Sequence, residues 1–328
     1  MEISSLQFVR VTMMVKLKGK YIESVPNISE GRRKEVVDAI ADSLCAVNGI
    51  YLLDCSSDED HNRSVITFAG LEEAVKEGAF ALVKKSVELI DLRKHKGSHP
   101  RMGATDVLPF VPLGDSDMAL CVRIANEVGE RIGKELGIPV YLYEHAARKE
   151  MWRNLANVRK GEFEGLREEI GKNPERKPDF GPEKIHETAG AIAVGARQFL
   201  IAYNVNLKSE DVGLAKRIAK RIREKDGGLP AVKALGLFLE KQGCAQISIN
   251  LVDFTKTGIE EVYKEIERLA EKEGVKIRES ELIGLLPQAS YSEGLENRVK
   301  LRDFTKDRII EVRLAKMIEQ NIKRFREC

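Results

Sequence analysis

The chain has 328 residues, enough for two domains of ordinary size or one large one. Its 43% hydrophobic and 32% charged residues make a globular composition, and 54 basic against 52 acidic side chains leave a formal net charge of only +2. That balance speaks against nucleic acid as a partner, and no apolar run reaches the roughly 18–20 residues of a membrane helix.

Met1–Lys20 has no apolar core of the kind a signal peptide carries, and residues 1–17 read as an N-terminal extension. Cys45, Cys55, Cys121, Cys244 and Cys328 form no C-x-x-C pair. Reduced thiols in a cytoplasmic protein are therefore expected, without a disulfide framework or a zinc site. The first strand is expected over Tyr21–Ile28. Ser29 is placed to cap a helix that carries Val36, Val37, Ile40 and Leu44 on one face. Short strands follow at Ile50–Leu53 and Ser64–Ala69, separated by a polar stretch, and helical periodicity returns over Leu71–Leu92. The Gly/Pro/His-rich loop Lys94–Gly103 leads to a strand at Val107–Val111, a helix over Asp117–Leu136, a strand at Pro139–Tyr143 and a helix over Arg148–Val158. Charge and proline then dominate Arg159–Pro182, which reads as a surface segment, and Ala191–Ala196 reads as small and flexible.

The second half runs strand (Arg197–Leu207), helix (Glu210–Arg223), strands (Val232–Leu239 and Ala245–Val252), helix (Ile259–Glu273) and strand (Lys276–Gly284). A basic helix over Lys306–Arg326 closes the chain. This βαββαβ order, repeated in the first half with an added helix–strand pair, predicts an α+β protein. It would have two related split-βαβ, ferredoxin-like subdomains with mixed or antiparallel sheets and a ligand cleft between them. The expected division is 18–196 and 197–328.

Three segments stand out chemically. His95-Lys96-Gly97-Ser98-His99-Pro100-Arg101-Met102-Gly103-Ala104-Thr105-Asp106 packs histidines, cations and chain-breakers into one helix-to-strand loop. It reads either as a polar structural loop or as a general base flanked by cations for an anionic substrate. A metal there would need a third ligand, His61 or Asp58, and the spacing matches no common metal signature. Asp54–Arg63 offers Asp54, Asp58 and Asp60 to orient a histidine and Arg63 to hold a carboxylate; the plain alternative is a solvated acidic turn. Asp179–Gly190 reads as a linker beside a ligand cleft. Gly190–Arg197 has P-loop glycine spacing without the Lys–Ser/Thr pair, so no nucleotide site is expected.

Together these segments resemble the formiminotransferase domain of formiminotransferase–cyclodeaminases and of stand-alone glutamate formiminotransferases. The matching pieces are Ser24–Gly31, Asp60–Val65, Arg93–Ala104, Pro139–Tyr143, Pro178–Pro182 and Gly195–Leu207. The resemblance implies transfer of a formimino group from N-formimino-L-glutamate to N5 of tetrahydrofolate, a co-substrate, without metal. It also implies a homodimer and a place in one-carbon metabolism and histidine degradation. The family's catalytic histidine falls on His99. Its folate-binding stretch falls on Gly181, Pro182, Glu183, Lys184, Ile185, His186, Glu187, Thr188, Ala189 and Gly190. Arg63, Lys96 and Arg101 are the candidates for substrate carboxylates.

Two departures are visible. The two-activity enzymes carry a tryptophan before the position of Gly190, where this chain has Thr188 and Ala189, so the pterin is expected to be held differently. They also have a second acidic residue where this chain has Ser56, which leaves the partner of His99 open among Asp54, Asp58 and Asp60. No cyclodeaminase portion is seen, so a separate cyclodeaminase is expected to process the product. Formyl transfer, another tetrahydropterin and a non-catalytic regulatory module are the competing readings, the last because fold alone does not decide function.

Overall fold

The computed structural model describes residues 15–97, 99–240 and 242–327. Most of the expected extension, residues 1–14, lies outside the described residues, as does Cys328. Leu17, also assigned to the extension, is instead buried in a shared apolar cluster. In chain order the elements are β1 (Lys20–Ser24), β2 (Asn27–Ile28), α1 (Lys34–Cys45), β3 (Tyr51–Asp58), β4 (Arg63–Leu71), α2 (Glu72–Leu89), β5 (Thr105–Gly114), α3 (Met118–Leu136) and β6 (Val140–Glu144). Two short helices, α4 (Leu155–Val158) and α5 (Glu162–Glu169), precede β7 (Ile192–Ala196). The rest is β8 (Ile201–Leu207), α6 (Val212–Ile222), β9 (Val232–Leu239), β10 (Cys244–Leu251), α7 (Ile259–Lys272), β11 (Ile277–Ile283), α8 (Leu295–Arg298) and α9 (Ile310–Glu327).

The second sheet is ordered β11-β8-β10-β9 with every neighbour antiparallel, the split-βαβ arrangement expected from the element order. One face is covered by α6 and α7, whose apolar stripes (Leu214, Ile218 and Ile222; Val262, Tyr263 and Ile266) pack on Tyr203, Val205, Ile247 and Ile249. The first sheet repeats this plan, with β3 beside β4, β4 beside β1 and β2, and these beside β5. It then continues in parallel through β7 to β6. Helices α1, α2 and α3 bury one face of it around Ile22, Phe68, Leu108, Phe110 and Val194.

Several local expectations are revised. Ala191–Ala196 is not flexible: it forms a fully buried parallel strand between β5 and β6. Its small residues are a packing requirement, since a Cβ on Gly195 would lie 2.5 Å from the Tyr143 ring. The first strand breaks at Val25–Pro26 into β1 and β2, because proline has no N–H to give the ladder. Arg148–Val158 is not one helix but a 3₁₀ turn at Glu150–Arg153 followed by α4, which the Asn154 side chain caps. Arg159–Pro182 is only partly surface, since Phe163, Leu166 and Arg176 are buried. Ser29 does not cap α1; its hydroxyl donates to the Gly103 carbonyl at 2.7 Å. The Glu30 carboxylate instead accepts the amides of Gly31, Arg32 and Arg33 just before α1. Asp117 and Asp211 cap α3 and α6 by side-chain bonds to Leu120 and Leu214.

Helix α9 joins the halves. Its Ile310 and Leu314 pack with Leu53, Ala69 and Leu113 of the first sheet and with Leu285 beyond β11.

Candidate active site

The His-rich loop is held at the end of β5 from two sides. On one side the 181–190 stretch runs along it. The Leu92 amide donates to the Thr188 carbonyl, the Ala104 amide donates to the Ala189 carbonyl, and Gly103 bridges Gly190. Arg93 adds an ion pair to Glu187 at 2.7 Å. On the other side the β3–β4 turn presses in. A Cβ on Gly97 would sit 2.1 Å from the His61 carbonyl oxygen, and one on Gly103 would sit 2.0 Å from that of Ala191. The glycines are there so that backbone can touch backbone.

Asn62, with φ of 48°, pins this second contact. Its Oδ1 accepts the Gly31 amide at 2.9 Å, and its Nδ2 donates to the Lys96 carbonyl at 3.1 Å. The two loop histidines then take different roles. His95 Nε2 meets the Asn62 carbonyl at 2.8 Å, while Arg101 Nε donates to His95 Nδ1 at 3.3 Å. A neutral ring with its proton on Nε2 satisfies both bonds. Burial also lowers its pKa, so His95 is a structural member of the loop.

His99 lies at the edge of a buried charge cluster. Its Nδ1 meets its neighbour's Pro100 carbonyl at 2.7 Å, which puts the proton on Nδ1 and the lone pair on Nε2. Burial first, and then the positive charges of Arg63 and Arg159, press its pKa down to about 4. The imidazole is therefore neutral at physiological pH.

Asp106 is the centre of that cluster and is fully buried. Its Oδ1 accepts the Met102 amide at 2.8 Å, while Oδ2 accepts Arg63 Nη1 at 2.8 Å and Arg159 Nη2 at 2.6 Å. Burial alone would raise this carboxyl, but Arg159 and Arg63 outweigh it and hold it below the usual range. Arg63 Nε is taken by Asn27 Oδ1 at 2.9 Å.

The other expected site residues are spread around this centre. Asp58 binds the His61 ring at 2.8 Å, and that ring stands edge-on to His99 with centroids 5.9 Å apart. Asp58 thus reaches the His99 neighbourhood through His61. Asp60 lies in the same turn. Asp54 faces away along β3 toward Arg313 of α9, 3.9 Å off. Arg101 is held by Glu162 and Glu164, at 3.2 and 2.7 Å. Arg101 and the exposed Lys96 line an open groove of about 480 Å³ together with Arg93 and Arg167. Sequence reasoning gave Asp106 no role and missed Arg159, Asn62 and Glu30. Asp106 ended the singled-out segment, but Arg159 gave no signal, standing in a run of charges more than fifty residues from the loop.

A neutral imidazole beside surplus guanidinium charge, at one end of a split-βαβ sheet, is the equipment of acid–base chemistry on an anionic substrate. Residues 21–197 match the N-terminal subdomain of the formiminotransferase domain, and residues 202–326 match the formiminotransferase domain itself. The chain is 45% identical over 285 residues to a glutamate formimidoyltransferase of Streptococcus pyogenes, covering 87% of this chain and 95% of that one. It is 44% identical over 297 residues to one of Thermoplasma acidophilum, covering 90% and 97%. A formimidoyltransferase-cyclodeaminase of Gallus gallus is 44% identical over 287 residues, but the match covers 86% of this chain and 53% of that protein. The chain belongs to the formiminotransferase family.

Proposed function

We propose that this protein is a glutamate formimidoyltransferase, which moves the formimino group of N-formimino-L-glutamate to N5 of tetrahydrofolate and releases 5-formimidoyltetrahydrofolate and L-glutamate. The two relatives from Streptococcus pyogenes and Thermoplasma acidophilum, which align over nearly their whole length, carry that name. The observation that carries the mechanism is His99: neutral, with the Nε2 lone pair free of its own proton, beside a cationic cluster.

The N5 amine of the folate attacks the formimino carbon, and His99 Nε2 takes the N5 proton as the tetrahedral intermediate forms. The bond from that carbon to the glutamate nitrogen then breaks, and His99 returns the proton to the leaving amine. Acid–base assistance of this kind is worth about 10²–10⁴-fold, and alignment of two bound substrates adds to it. Folate would lie along 181–190, whose pairing with the loop keeps it close to His99. Arg63 is the candidate nearest His99 for a donor carboxylate, and Lys96 and Arg101 suit the glutamyl tail of the folate. The same reading divides the chain at 196/197, with folate between the subdomains. It also makes the protein a cytoplasmic homodimer of histidine degradation. Among the described residues no helix is long and apolar enough to cross a membrane.

Turnover of N-formimino-L-glutamate with tetrahydrofolate, followed by glutamate release and by 5-formimidoyl product, tests this. His99→Ala should lose about two or more orders of magnitude in kcat while still binding tetrahydrofolate. Full activity in the variant would remove His99 from the mechanism. Folate binding without transfer by the wild type would remove the donor.

A further inference from the structure

The charge cluster beside His99 does not balance. Two guanidinium groups converge on one oxygen of Asp106, so one positive charge stays uncompensated in a largely buried place. A structural ion pair needs only one arginine per carboxylate, and an unmatched buried charge is costly. Arg63 gives Nη1 to Asp106 and Nε to Asn27. Arg159 gives Nη2 to Asp106, and its Nε is shut off from solvent with no hydrogen-bond partner among the described residues. Surplus positive charge and an orphaned guanidinium N–H are together what a carboxylate would satisfy.

We propose that Arg159 is the binding residue for one carboxylate of the N-formimino-L-glutamate donor, with Arg63 beside it, and so sets donor specificity. This rests on the transferase reading above. The carboxylate neutralises the surplus charge and anchors the glutamyl part of the donor next to His99, which has to return a proton to the glutamate nitrogen. Charge and position both come from a segment, residues 155–169, that packs over the end of the sheet opposite α1–α3.

Kinetics of Arg159→Met test it, with N-formimino-L-glutamate and its two monoamides as donors. The variant should raise KM for the donor about 10–100-fold, the value of a charge-assisted hydrogen-bonded contact, and leave KM for tetrahydrofolate unchanged. Wild type should reject one monoamide, and Arg159→Met should lose that discrimination. An unchanged donor KM, or discrimination as strong as in the wild type, overturns the proposal. So does a rise confined to the KM of tetrahydrofolate, which would assign Arg159 to the folate tail. If Arg159→Met does not fold, Arg159→Lys keeps the charge without the planar fork, and the same loss of discrimination is expected in weaker form. If the wild type shows no transfer at all, calorimetry with L-glutamate separates the two claims. Weaker binding by the variant keeps the carboxylate site while the transferase reading falls, and equal binding sinks the site as well.

Discussion

Both sheets bury one face under helices and carry ionic groups elsewhere, yet they handle charge in opposite ways. On the second sheet Glu279 and Glu281 sit with Arg302 at 3.1 and 2.8 Å, and the amides of Asn204, Asn206 and Gln246 knit them together. With Arg278 4.0 Å from Glu279 as a second cation, charge there is matched, and it is partly hydrated, as Arg302 is 41% exposed. On the first sheet Asp106 is wholly buried between two arginines, and Glu23 of β1 is buried with Oε2 unpartnered among the described residues. Matched surface charge contributes little to stability, whereas unmatched buried charge is costly and is tolerated where a ligand completes it. The contrast separates a scaffold sheet from a working one, and the histidine loop lies on the working one.

The largest break in this contrast is the His99→Ala loss of activity, for which no residue of the second sheet should substitute. A pH profile sharpens it. His99 acts as a base only while neutral, and its pKa is held down to about 4. The value of kcat/KM should therefore hold well below pH 6.5 and fall only as pH approaches about 4, and Arg159→Met should move the acid limb upward. A limb near 6.5 in the wild type would mean that the charge cluster does not act on His99.

Next in size is Asp106→Ala. Removing the one carboxylate between two buried guanidinium groups should cost about 3–5 kcal/mol, read as a lower urea midpoint with unchanged slope. Loss of less than about 1 kcal/mol would show the arginines to be solvated. Glu23→Gln should act in the other direction. Burial pushes the Glu23 carboxyl from 4.5 up to about 8, partly opposed by Arg197. A carboxyl raised in the folded state contributes its stability below the unfolded value and loses it as pH rises toward the folded one. The variant should thus match wild type near pH 4 and exceed it increasingly between 4.5 and 8. A gain in thermal midpoint that does not depend on pH would refute the assignment. The smallest effect is expected from Arg302→Ala on the second sheet, within about 1 kcal/mol of wild type. A larger loss would make that sheet's charges as critical as those of the first.

Much of this was legible from residue order. The βαββαβ pattern of the second half depends on alternation and helical periodicity, both local, and it predicted the sheet. The histidine loop was legible because two histidines, cations, glycines and a proline crowd into a few positions. Ala191–Ala196 was not, since a central parallel strand draws its order from neighbours on both sides, and its small residues suit close approach to Tyr143 better than they signal a strand. Arg148–Val158 failed because helical spacing says nothing of the break at Asn154.

Residue types and their order thus determined the two split-βαβ units, the polar histidine loop and the family likeness, since each is written in contiguous segments. The family likeness pointed to His99, but the physical difference between the two histidines came only from tertiary structure, with Asn62 reaching one ring and Arg63 and Arg159 crowding the other. Tertiary structure also decided the surplus charge, which arises only when Asn27, Arg63, Asp106 and Arg159, from four separate segments, meet around one buried carboxylate. Charge balance inside a protein is a property of a volume, and one-dimensional order does not specify what shares that volume.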